Sequence, residues 1–170
     1  RARLQANLAT EIVFVEPLHI RRALLDEALV VARESGDPAT LAHVLISRCV
    51  ALWHPSTLGE RLEHGVELEG LVPGLGDLHL GYFTNWYQYA ALVEAARIAD
   101  SDIVLARCAE YAANLGQAMP AWTQTFTLAG RAFLRGDLES AERLAEQTLE
   151  VGTRGGQPDA ALYYGVILLM

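Results

Sequence analysis

Apolar residues along this chain recur at three- and four-residue spacing, and the alternation expected of a strand is nearly absent. Leu24, Leu25, Ala28, Leu29 and Ala32 form one helical stripe. Leu41, Leu45, Cys49 and Leu52 form a second, and Leu138, Ala141, Leu144, Ala145 and Leu149 a third. Prolines at 17, 38, 55, 73, 120 and 158 mostly fall where a helix starts or stops. The turn signals predict about nine helices, over 3–15, 18–35, 39–53, 57–71, 79–99, 102–115, 121–135, 138–152 and 158–170. Thr57-Leu58-Gly59-Glu60 has the form of a capping box for the fourth. Asp102 or Ser101 is placed to cap the sixth helix, and Asp137 the eighth.

A longer period lies over this one. Gly36-Asp37, Gly76-Asp77, Gly116-Gln117 and Gly156-Gln157 recur every forty residues, each after one helix and just before the next. Forty residues is one helix–turn–helix unit with two connections, and such a hairpin buries its apolar face only by stacking on a neighbour. The expected fold is therefore all-α: a solenoid of antiparallel helix hairpins forming a single repeat domain over 1–170. First helices should line an inner face and second helices an outer one. Four hairpins leave a ninth helix without its second member.

Composition narrows the chemistry. With 52% apolar and 20% charged residues the chain belongs with soluble folded proteins. Its apolar runs, 12–15 and 166–170, are too short to span a bilayer. A net charge of −8 leaves no clustered positive surface for a nucleic acid. All thirteen basic residues are Arg. Without lysine there is no Walker A loop, no protein-kinase site and no Schiff base. Cys49 and Cys108, each inside an apolar helical pattern, read as reduced, buried thiols. The start at Arg1 and the apolar end at 166–170 read as marks of a segment from a longer protein.

Two resemblances follow from longer stretches. Residues 121–155 resemble a degenerate tetratricopeptide repeat: Leu128-Ala129 stands for its Leu-Gly, and Gly136-Asp137 for its inter-helix turn. Ala141 holds the small crossing position and Leu149 the late apolar one. The segments 22–29, 32–42, 51–62 and 135–146 resemble the helical region of large bacterial regulators. In those proteins this region accompanies a STAND (AAA-type) ATPase module, with a LuxR-type DNA-binding or class III adenylate cyclase output. The resemblance implies a cytoplasmic, non-catalytic protein-interaction and relay domain of a multidomain transcriptional regulator. The alternative it implies is a small-molecule inducer sensor. No catalytic residue carries over, because the ATPase and output motifs lie outside these residues.

The residues themselves suggest a groove. His19, His43, His54, His64 and His79 lack metal-ligand spacing and read as partly exposed helix or turn residues. No cofactor or metal is signalled. Asp100-Ser101-Asp102 reads as a capping turn, and Glu60, Glu63, Glu67 and Glu69 as a solvated face. The aromatic residues between Tyr82 and Tyr89, with Trp122 and Phe126, either fill gaps between hairpins or wall a concave patch. Candidate binding residues are His43, Ser47, Tyr82, Asn85, Tyr89, Trp122, Gln124 and Arg131. The expected partner is a protein or peptide, or another domain of the parent chain, with neither nucleic acid nor membrane. A homodimer through the last helix is a further expectation, because Leu162, Val166, Ile167 and Leu169 lack a covering second helix.

Overall fold

The computed structural model describes residues 1–169, most of them in nine α-helices: α1 (Ala2–Glu11), α2 (Leu18–Ser35), α3 (Pro38–Ala51), α4 (Leu58–Leu71), α5 (Leu78–Glu94), α6 (Ile98–Leu115), α7 (Ala118–Leu134), α8 (Leu138–Arg154) and α9 (Ala160–Leu169). Short 3-10 turns at Pro55–Thr57 and Val72–Leu75 flank α4. No strand occurs among the described residues. Met170, the expected end of the last helix, lies outside them. The chain divides into two compact units, Arg1–Cys108 and Ala109–Met170, with α6 running across the boundary.

In the first unit α1 packs on α2 and α3, and α3 packs in turn on α2, α4 and α5. In the second, α8 packs on both α7 and α9, which also touch each other. Within each unit, first helices thus meet their successors, and a second helix is wedged between them. That is the packing of a repeat of helix hairpins.

The forty-residue period runs without insertion. Gly36, Gly76, Gly116 and Gly156 all take left-handed φ, at 66°, 63°, 60° and 70°, where a β-carbon would be strained. The acids that follow the first two cap the next helices: Asp37 accepts from the amides of Ala39 and Thr40, and Asp77 from those of His79 and Leu80. Burial keeps the same register. Ala28, Leu68, Cys108 and Thr148, forty residues apart on the second helices, are all at most 1% exposed. Volumes compensate along it as well. Ala42 shares a core with Val72, whereas Trp122, forty residues after Tyr82, meets Gly152. A β-carbon there would come within 2.6 Å of the indole Nε1. On α9 the pattern stops: Leu162 and Leu169 are 63% and 89% exposed.

Two of the expected caps change. Helix α5 ends at Glu94 and α6 begins at Ile98, so Asp100, Ser101 and Asp102 lie inside a helix and do not cap it. The turn is made by Ala96, whose φ is 57°. Its amide bonds to Val93 O and that of Arg97 to Leu92 O, the paired closure of a Schellman end. The capping box at Thr57 does not form, because its hydroxyl donates to the carbonyls of Leu52 and His54. Glu60 then bonds elsewhere. The cap at Asp137 forms as expected, accepting from Ser140 N–H.

Candidate functional site

The candidates from the sequence fall in both units. In the first, His43 Nε2 lies 2.7 Å from Asn7 Oδ1 on α1, and burial, then the nearby Arg3 charge, lowers its pKa. Ser47, one turn on, is buried. Tyr82 is fully buried, edge-on to Phe83 at 5.3 Å, and its carbonyl accepts from the Cys108 thiol at 3.8 Å. Asn85 donates to Gly81 O within its own helix at 2.7 Å. Tyr89 belongs to a core with Leu92, Val104 and Leu105. These rings and amides of α5 are therefore largely interior. In the second unit Trp122 and Phe126 meet Tyr163 edge-on at 5.0 and 4.8 Å. Arg131 is buried. The buried Gln124 amide has no hydrogen-bond partner among the described residues.

The register exposes a different site. In the first unit two grooves run between successive second helices: one between α2 and α4 above α3, the other between α4 and α6 above α5. The first is closed by Arg48. This residue, 4% exposed, rises from α3 and donates to Asp26 on α2 at 2.8 Å. It also donates to Glu60 on α4 and, through Nε, to His64 Nε2 at 3.0 Å. That last bond requires a neutral imidazole with its proton on Nδ1. Arg22 binds the other Glu60 oxygen at 2.9 Å.

Electrostatics follow from this packing. Burial alone raises the Glu60 pKa, but hydrogen bonds and charge from Arg48 and Arg22 outweigh it and hold the carboxyl below its ordinary range. His64 is lowered, first by burial and then by the Arg48 charge. Glu60 and His64 are thus drawn into a buried network, where the sequence pattern places a solvated acid and a partly exposed histidine. Burial also pushes both Cys49 and Cys108 up to about 12, the inert range of interior thiols.

Forty residues on, Arg48 becomes Gln88, Asp26 becomes Val66, Glu63 becomes Ile103 and His64 becomes Val104. Each of those groups is smaller or apolar, and the groove stays open as a cleft of about 220 Å³. Leu62 and Val66 on α4 face Ile103 and Val104 on α6, with Leu92 and Gln88 on the floor. Ion pairs stand on its rim. Arg97 binds Asp100 at 2.7 Å, and Arg107 binds Glu69. The Arg107 bond, ahead of its charge, lowers the Glu69 pKa. Gln88 Nε2 reaches Glu69 at 3.5 Å. Gln88 Oε1 is buried and accepts no hydrogen bond among the described residues.

The cleft can therefore hold an apolar group and present charges of both signs. Neither helical spacing nor residue type points to it, since its members look like ordinary core and surface. The signal that finds it is column-by-column reading at forty residues. Among the described residues no group of three or more His, Cys, Asp or Glu is placed to hold a metal ion, and no helix is long and apolar enough to cross a membrane. Comparison with family models, curated proteins and solved structures finds no match.

Proposed function

We propose that this chain is a non-catalytic interaction and relay module, an arm of a larger bacterial regulator that holds a peptide segment of a partner or of another domain. The observation that carries the reading is the contrast between the two grooves. One is locked by its own arginine, while its repeat equivalent is left open between two ion pairs. The regulator assignment rests on the sequence resemblance.

Site-specific crosslinking tests it. A photoreactive phenylalanine analogue at Ile103, in the full-length protein in its own cells, should give crosslinks that map to one defined peptide segment. The same probe at Val30, exposed on α2, should not yield that segment. Equal or absent labelling from Ile103 and Val30 would sink the proposal. A second reading, an inducer sensor, has support in the same cleft. Its volume of about 220 Å³ is below the range of about 300–1,000 Å³ for drug-sized ligands, and both charges on its rim suit a zwitterion.

A further inference from the structure

We infer that His64 is the latch of the α2–α4 groove. Neutral, it holds Arg48 across the groove; when it takes up a proton, Arg48 swings out toward Asp26 and leaves an open cleft in a chain that stays folded. This regulation is independent of the interaction reading above.

Three features carry it. Arg48 Nε–H donates to His64 Nε2, the nitrogen that the added proton would occupy, so this bond and the imidazolium exclude each other. Charge is the second feature. With His64 neutral, Arg48 and Arg22 balance Asp26 and Glu60. A further proton leaves one positive charge in excess beside a buried guanidinium. The third feature is the exit. Glu60 Oε1 lies 3.4 Å from His64 Nε2, one turn away on the same helix, so an imidazolium takes that oxygen from Arg48 without any movement of α4. Arg48 keeps Asp26, whose side chain is 55% exposed, and follows it toward solvent. Arg22 still binds the other Glu60 oxygen, so α2 and α4 remain bridged. The repeat shows what is left: where Gln88 stands for Arg48 and Val104 for His64, the groove is open.

The surrounding groups leave the proton to His64. Hydrogen bonds and charge from Arg48 and Arg22 keep Glu60 ionised well into acid. Glu67, also on α4, favours the imidazolium, though less than Glu60 does. Arg61 on α4 is paired with Glu94 on α5 at 2.7 Å. Burial pushes Cys49 on α3 and Tyr87 on α5 up to about 12, so both stay neutral. For His64 itself burial, and then the Arg48 charge, lower the pKa, so the latch releases only in acid, below the ordinary histidine range.

Heteronuclear NMR on the intact chain, from about pH 7.5 to about pH 4, follows both groups at once. The ring nitrogens of His64 report its protonation, and exchange of Arg48 Nε–H reports the lock. As His64 becomes imidazolium, protection of Arg48 Nε–H relative to free arginine at the same pH should fall at least about tenfold, while the backbone amide spectrum stays folded. In His64→Gln the side-chain carbonyl still accepts from Arg48, and protection should persist to about pH 4. Arg48→Gln copies the open groove, and with the neighbouring cation gone His64 should titrate at a higher pH than in the parent chain. The parent chain's own titration decides if either variant fails to fold. An Arg48 that stays protected beside an imidazolium would overturn the latch, as would a His64 that stays neutral throughout. So would loss of the folded amide spectrum in step with His64 protonation, or an equal loss of Arg48 protection in a folded His64→Gln.

Discussion

Ala96 carries a β-carbon in a backbone region that glycine occupies at the other tight helix ends, with φ of 57° against 75° at Gly136 forty residues later. Left-handed φ costs an L-residue about 1–2 kcal/mol, and a glycine returns about 0.4–1 of that through the entropy of the unfolded chain. Ala96→Gly should therefore stabilise the protein by about 0.5–1 kcal/mol, a rise of about 2 °C in melting temperature at this chain length. A fall in melting temperature would show that the turn is not the strained element it is taken for. The same residue shows why the α5–α6 boundary was hidden. Arg97 and the two alanines before it offer no glycine, proline or capping oxygen. Only the equivalence of position 96 with Gly136 betrays the turn. The glycine ends at 36, 76, 116 and 156, by contrast, were open to reading.

At the scale of elements, the α2–α3–α4 groove is held by groups that dislike acid. His64 has a folded pKa below its ordinary value, from burial and then the Arg48 charge. The unfolded chain therefore takes up a proton first as pH falls below about 6.5. Stability is full above that pH and declines through the lowered folded value. Glu60 acts with the same sign in a lower window, starting near the ordinary carboxylate value of about 4.5 and continuing below it. His43, lowered by burial and then Arg3, adds to the upper step. Thermal melts from about pH 7.5 to about pH 2.5 should show both losses, and His64→Gln should reduce the upper one while leaving the lower. An unchanged upper slope would remove His64 from the account.

This network marks the limit of what the elements disclosed beforehand. Periodicity was enough to place eight of the nine helix starts to within about three residues, because burying one face demands it. It assigned Glu60 to solvent because a glutamate every few residues is what a solvated face looks like. The partner that internalises it, Arg48, comes from another helix, which no local spacing reports. The candidate groove met the same difficulty. Tyr82, Asn85 and Tyr89 do share a helix, but that helix is the floor of its unit, and its rings are largely buried.

Over the whole molecule, each of the four complete hairpins ends in a left-handed glycine at the same register. In solenoids of this kind stability is approximately a sum over units and their nearest-neighbour interfaces, so a missing unit is a local loss. Excision of residues 37–76 joins Gly36 directly to Asp77. The residues at that joint restore a glycine of φ near 65° followed by an aspartate that caps the next helix. The shortened protein should fold with its helix fraction unchanged and its denaturant slope reduced in proportion to length, whereas an excision two residues shorter should lose cooperative unfolding. If both deletions behave alike, the register has no such authority.

The uninterrupted period has a historical consequence as well. A frame kept to the residue means that the gene can gain or lose a hairpin by unequal crossing-over without a repair at the seam. Each duplicated groove is then free to diverge, one hardening into a lock around its arginine and its sibling, relieved of that duty, left as an open cleft.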